Sequence, residues 1–132
     1  MLFTQSEYDA RLAATRAAME AAGIDALIVT DPSNMNWLTG YDGWSFYVHQ
    51  AVIIPPTGPP LIWLRTQDMP GAYQTAYVPR ENVLTYPEEH VQTPDHHPDQ
   101  TLCRHLSQMG LASARIVAEF ENYYFSAKCL EV

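Results

Sequence analysis

Residues 23–54 read GIDALIVTDPSNMNWLTGYDGWSFYVHQAVII, a buried strand, a turn and an aromatic-loaded segment in immediate succession. Residues 26–30, ALIVT, form an unbroken apolar and β-branched run, and such a run directly after a helix is the pattern of a central strand covered on both faces. Asp31-Pro32-Ser33-Asn34 ends it as a turn, because these residues favour a reversal over a continued ladder. A dinucleotide-binding strand would open onto a glycine-rich helix start instead. No such fingerprint is present, and no GxxxxGK[ST] occurs, so pure Rossmann winding is disfavoured and nucleotide binding has no support.

Upstream, Thr4 stands three residues before Glu7. That is the spacing of a capping box, in which each side chain satisfies the other's orphan backbone donor, so a helix begins near Gln5. Tyr8, Leu12, Met19 and Ala22 make its apolar stripe, interrupted by Thr15, and Gly23 stands where a left-handed C-cap is wanted. Downstream, residues 51–54 and 61–64 flank Pro55-Pro56-Thr57-Gly58-Pro59-Pro60, a connection too short for a crossover helix, which predicts an antiparallel hairpin. Its prolines belong at a sheet edge or in the turn itself, since proline cannot donate to a ladder. The remaining elements are a helix over 67–77 that starts late at Pro70, a strand over 82–86, a helix over 101–109 ended by Gly110, a strand over 114–119 and a helix start over 122–130. This order predicts an α/β fold, a three-layer sandwich with a mixed sheet of about five strands and helices on both faces.

The 132 residues fit one domain with a single core. No apolar run approaches the ~18 residues of a membrane span. The N-terminus, MLFTQSEYDARLAATRAAME, has neither a signal-peptide nor a transit-peptide pattern, so the expected location is cytoplasmic. Fifteen acidic against seven basic residues give a net charge of -8, which repels phosphate backbones and anionic lipid, so neither nucleic acid nor membrane is an expected partner. Cys103 and Cys129 are too few for a disulfide framework and too far apart for a metal knuckle, and read as reduced thiols.

Histidines at 49, 90, 96, 97 and 105 raise the question of a metal. Their densest group is His90, Asp95, His96, His97 and Asp99. A metal needs ligands converging on one point, which the adjacent His96 and His97 of a proline-flanked loop do not readily do, so a solvated loop is expected and no metal ligand is assigned. Cys103 and His105, two apart on a helix, face different sides. No serine occupies a GxSxG elbow. Glu119 and Glu121 sit at a strand end, where solvated charge is the ordinary role. No catalytic residue is assigned.

The aromatic segment is different. Trp37, Tyr41, Trp44, Phe46 and Tyr47 crowd together with Gly40, Asp42 and Gly43, and His49 lies just beyond. Two glycines in so bulky a run imply bends that present rings at a surface. Ring faces attract cations by about 0.5–2 kcal/mol each, and Asp42 adds a negative charge, so a zwitterionic or cationic small molecule suits the segment. The more ordinary role of such rings is to fill a core or a subunit interface, where Trp and Tyr are enriched.

At these residues a family becomes visible. EYDARLAATRAAMEAAGIDALIVTDPSNMNWLTGY resembles the opening of the creatinase/prolidase N-terminal domain, the ribonuclease H-like, non-catalytic front half of creatinases, prolidases and aminopeptidase-P-like pita-bread hydrolases. Arg11, Leu12, Arg16, Met19, Gly23, Asp25, Ala26, Leu27, Asn34, Leu38, Thr39, Gly40 and Tyr41 fill the family's positions, while Thr15 departs from the usual leucine. IVAEFENYYFSAK is similar to the I-G-x-E segment that precedes the catalytic domain. Three stretches, DPSNMNWLTGYDGWSFYVHQ, YPEEHVQ and ENYYFSAK, resemble the ectoine hydrolase branch, enzymes that open a cyclic amidine to acetyl-diaminobutyrate.

The resemblance implies one creatinase-type N-terminal domain over residues 1–132, with the catalytic pita-bread domain downstream and absent here. It implies a homodimer of the full-length protein, in which the front domain caps the neighbouring subunit's active site over a small zwitterionic substrate of a C–N bond hydrolase. Tyr41, Trp44, Phe46, Tyr47 and His49 would then contact substrate across the dimer. No cofactor is expected in these residues, and any divalent metal would belong to the absent catalytic domain. Creatinases use an aromatic residue and an arginine after the Gly-aromatic turn. Phe46 matches the aromatic, but Val48 stands at the arginine position, which argues against creatine and leaves His49 as a stand-in. The alternatives are the N-terminal domain of a Xaa-Pro dipeptidase or aminopeptidase, and a free-standing small-molecule binding module.

Overall fold

Helix α1 (Gln5–Ala21) begins where the Thr4/Glu7 spacing places it, with Thr4 Oγ1 accepting the Glu7 N–H at 3.3 Å. The computed structural model describes residues 3–122 and 125–132. Only half of the capping box forms, because the Glu7 carboxylate turns to the Arg11 Nε–H at 3.0 Å, a helical (i, i+4) pair. Tyr8, Leu12 and Met19 are buried, whereas Ala22 is the exposed C-cap and not part of the stripe. Gly23 comes next at φ 65° in the left-handed conformation expected of it.

Strand β1 (Ala26–Val29) is internal, flanked by antiparallel β2 (Ala51–Ile54) and parallel β5 (Ile116–Ala118). β2 and β3 (Leu61–Arg65) form the expected hairpin, with Ala51 opposite Trp63 and Ile53 opposite Leu61. The hairpin lies inside the sheet, because β4 (Val83–Tyr86) pairs in parallel with β3, giving the order β4-β3-β2-β1-β5. Its prolines therefore fall in the connecting turn, where no ladder donor is missed. β2 is the middle strand, and all four of its residues are buried.

Asp31-Pro32-Ser33-Asn34 corrects the sequence reading. It is not a free turn but the start of helix α2 (Pro32–Thr39), with Asp31 Oδ1 accepting the Ser33 and Asn34 N–H groups at 2.8 and 3.1 Å and proline in the first turn. Proline is well placed there because its missing N–H would have had no partner in any case. Glu119 also departs from expectation. Its carboxylate is not simply solvated. Oε2 accepts the Thr30 and Asp31 N–H groups at 2.7 and 2.8 Å, and Oε1 accepts Asn34 Nδ2 at 2.6 Å, so the end of β5 is tied to the β1–α2 junction.

Two apolar clusters define the layers. Leu12 and Met19 of α1, Met35 and Leu38 of α2, and Ala72 of α3 (Met69–Thr75) cover one sheet face through Val29, Val52, Ile54, Ile62 and Leu64. Leu102 and Leu106 of α4 (Asp99–Gln108) cover the other through Ile28, Ile53, Trp63 and Tyr86. The buried Trp63 indole N–H donates to Thr101 Oγ1 at 3.0 Å, locking α4 to the sheet. This is the expected α/β three-layer sandwich with a mixed five-stranded sheet. The helix foreseen over 67–77 is a 3-10 turn running into the shorter α3, with Pro70 in its first turn. In the tail, part of the foreseen 122–130 helix lies outside the described residues, and its remainder forms only a single 3-10 turn at Ala127–Leu130. Among the described residues no helix is long and apolar enough to cross a membrane.

Candidate functional site

The segment after α2 owes its shape to Gly40 and Gly43. Gly40 caps the helix at φ 75°, and a Cβ there would lie 2.8 Å from Tyr8 Oη and 3.1 Å from the Thr75 carbonyl. At Gly43 a Cβ would lie 2.0 Å from Tyr41 Cζ and Oη, so the backbone itself packs on the Tyr41 ring. The chain then runs to β2 without regular structure, and every few residues it is pinned. Asn36 Nδ2 donates to the Gly40 and Tyr41 carbonyls, and Thr39 Oγ1 accepts the Tyr41 N–H. Tyr41 Oη donates to Gln50 Oε1 at 3.1 Å. Ser45, also buried, donates to Asp68 Oδ1 at 2.8 Å, and Asp68 in turn accepts Arg65 Nε–H at 2.7 Å. Arg65 Nη2 donates to Tyr47 Oη at 3.1 Å.

Between these anchors Trp44, Phe46 and Tyr47 face outward. Trp44 is 79% exposed, and Phe46 and Tyr47 are 44% and 40% exposed, with the last two rings edge-to-face at 6.0 Å. So much apolar area on a fixed loop is what a contact surface looks like. Tyr41 differs from its neighbours. It was expected to reach outward, but it is 1% exposed and belongs to the core, where burial pushes its phenol well above the ordinary value. Its role in the described chain is to shape the loop. Trp37 stands apart on α2, beneath the Arg11 guanidinium, which also covers Phe3 and donates to the Trp37 carbonyl at 2.9 Å.

His49 turns inward. Its ring meets that of His97 edge-to-face at 4.8 Å, and burial lowers its pKa against the opposing pull of Asp99. A neutral, half-buried imidazole is a poor partner for a substrate carboxylate. Beside the exposed rings stands Arg65, a residue the sequence reading passed over. Its hydrogen bond to Asp68 holds its pKa above the ordinary arginine value, and its guanidinium lies 5.4 Å from the Tyr47 ring centroid. It braces Tyr47 and is itself neutralised by Asp68. Of the densest histidine group, His96 and His97 do diverge: His96 stacks on His90 at 4.9 Å, while His97 joins His49. Asp99 is buried beside His97, whereas Asp95 is exposed. Beside these rings opens a cavity of about 200 Å³, lined among others by Tyr47, His49, His90, His97 and Lys128. Cys129, placed by no reading of the sequence, closes on the same spot, with one ligand atom each of His49, His97 and Cys129 lying within 4.8 Å of one another.

Residues 11–131 match the family model described as the creatinase/prolidase N-terminal domain. The chain belongs to this family. An ectoine hydrolase of Halomonas elongata is 45% identical over 130 residues, covering 98% of this chain and 33% of the relative. An uncharacterised hydrolase/peptidase of Sinorhizobium fredii is 35% identical over 127 residues, covering 96% and 32%. The chain thus spans about a third of the length of these two relatives. A proline dipeptidase of Streptococcus pneumoniae superposes with a TM-score of 0.67 at 20% identity over 92% of this chain and 85% of the other. The creatinase/prolidase N-terminal domain of an X-Pro dipeptidase from Streptococcus pyogenes superposes at 0.65 and 18% identity, over 92% and 83%. At these identities the superpositions establish the fold.

Proposed function

We propose that this creatinase-type domain is the substrate-capping and dimerisation part of a cytoplasmic, ectoine hydrolase-like C–N bond hydrolase whose catalytic domain lies beyond residue 132. The observation that carries the reading is the rooted loop, on which Trp44, Phe46 and Tyr47 stand exposed while Tyr41, Ser45, Val48 and Gln50 hold the backbone from below. Rings fixed in advance contribute contact area without the ordering cost of a mobile loop. In the whole enzyme they would meet the partner subunit's active site, exclude water and orient a small zwitterion, which strengthens the charge interactions made there. The 45% identity to an ectoine hydrolase favours a cyclic amidine over a dipeptide as substrate. The bond-breaking groups, and any divalent metal they use, would come from the catalytic domain.

The test is steady-state kinetics of the full-length protein on ectoine and on Ala-Pro. Trp44→Ala and Phe46→Ala should each lower kcat/KM about tenfold, the equivalent of about 1.4 kcal/mol, within the range of a desolvated ring contact. An unchanged kcat/KM in both variants would refute the contact role. Turnover of Ala-Pro but not ectoine would transfer the domain to a dipeptidase.

A further inference from the structure

The geometry points to a structural metal site that is independent of the capping role: we propose that His49, His97 and Cys129 bind one zinc-class divalent cation. The three come from separate parts of the chain, the loop before β2, the loop before α4 and the 3-10 turn at Ala127–Leu130. Two imidazoles and one thiol form a donor set matched to zinc, softer than the oxygen ligands that calcium or magnesium require. A tetrahedral ion with bonds of about 2.0–2.3 Å would hold its ligand atoms roughly 3.3–3.7 Å apart. The present atoms, within 4.8 Å of one another, need to close by about 1.5 Å at most.

The surroundings suit such a site. Cys129 is 9% exposed and the His97 side chain 12%, so these two are shielded, while the cavity lined by His49 and His97 gives an ion a way in. Asp99, 3% exposed, supplies the outer partner. In the metal-free chain its carboxylate is hydrogen-bonded to the Cys129 thiol, and its own N–H donates to His97 Nδ1 at 3.2 Å. On binding, the thiol loses its proton to solvent as the sulfur–metal bond forms. His97 changes tautomer as it binds: Nε2 gives its proton to solvent and takes the ion, while Nδ1 takes up a proton from solvent and exchanges the bond it accepts from the Asp99 N–H for one it donates to Asp99 Oδ1, 3.9 Å away. That carboxylate–histidine–metal relay is the usual way a histidine ligand is oriented. The result is a clip fastening the turn at residues 127–130 to the two histidine loops.

The experiment uses the 132-residue chain without a polyhistidine tag, stripped of metal by chelator and titrated with Co²⁺ and then Zn²⁺. One Co²⁺ per chain should bind with a sulfur-to-cobalt charge-transfer band that Zn²⁺ abolishes, and Zn²⁺ should raise the unfolding midpoint of the wild-type chain. Cys129→Ser should remove the band, and His49→Gln and His97→Gln should weaken binding at least about tenfold. Asp99→Asn should weaken it about tenfold. His96→Gln and Cys103→Ser should change nothing. The assignment is overturned by absence of the thiolate band, by a band that survives Cys129→Ser, or by equal weakening in His96→Gln. Absence of any zinc-dependent rise in the wild-type midpoint overturns it without recourse to a variant.

Discussion

Removing the Glu119 carboxylate tests whether one side chain fastens β5 to the start of α2. The carboxylate accepts three hydrogen bonds, two from the backbone N–H groups of Thr30 and Asp31 and one from Asn34 Nδ2. Bonds to a charged acceptor contribute about 1.5–3 kcal/mol each when shielded. Thr30 and Asp31 are half-buried, so water replaces part of the loss, and the exposed Asn34 contributes little. Glu119→Ala should therefore cost about 2–3 kcal/mol. Glu119→Gln keeps a carbonyl oxygen for the two backbone donors, and Asn34 can turn its amide to present oxygen to the new NH₂. Only the charge assistance is lost, about 1 kcal/mol. For a chain of this length the corresponding falls in Tm are about 10 °C and 4 °C. Urea unfolding followed by circular dichroism measures both variants, with the slope checked for constancy. Equal destabilisation by Gln and Ala, or a cost below about 0.5 kcal/mol for Ala, would refute the argument that the acceptor geometry of Glu119 holds the junction.

Two further outcomes concern the buried rings. Burial raises the phenols of Tyr41 and Tyr86 above their ordinary value, so the folded state holds those protons more tightly than the unfolded chain. Stability from this source is complete below about pH 10 and is lost as pH rises beyond it. Tyrosinate absorbance from these two should appear only together with loss of secondary structure, and ionisation of all eight tyrosines in a chain with native circular dichroism would contradict this. Gly43→Ala should destabilise by about 2–3 kcal/mol, because its Cβ would enter the packed Tyr41 ring at 2.0 Å. Gly58→Ala should cost about 1 kcal/mol, since its site at φ 82° is strained but has nothing within 4 Å. Calorimetric melting of the two variants that gave equal shifts would show that the ring contact is not what excludes a side chain at 43.

Much of the fold was legible because its signals are local. The Thr4 cap, the ALIVT run, the short proline-rich connection and Gly110 each act within a few residues, and each formed the element expected of it. Helix α2 was misread although its signal was present. An Asp before Pro is as good a helix start as a turn, and the aromatic residues beyond it drew attention from the Met35, Leu38 and Thr39 face that α2 buries. Distance along the chain hid the rest. Glu119 reaches its acceptor role across 85–89 residues, and Arg65 meets Tyr47 from 18 residues away. Cys129 joins His49 and His97 only through the tertiary fold. The divergence of His96 from His97 was, by contrast, a local steric matter and was readable.

The alternation within residues 41–50 separates the two jobs of that segment. Tyr41, Ser45, Val48 and Gln50 are buried anchors, and Trp44, Phe46 and Tyr47 are exposed rings. Substituting an anchor disturbs packing and ring position together, so lost activity would not report on contact. Substituting Trp44, which leaves 79% of its surface to solvent, should change stability by no more than about 0.5 kcal/mol, as is usual at exposed sites. A kinetic defect in Trp44→Ala at unchanged Tm therefore belongs to the ring itself. Phe46 and Tyr47 pack edge-to-face, so loss of one loosens the other, and the Phe46 effect carries a positioning component through Tyr47 that Arg65 only partly resists. The Trp44 variant is accordingly the cleaner measure of whether this domain touches substrate.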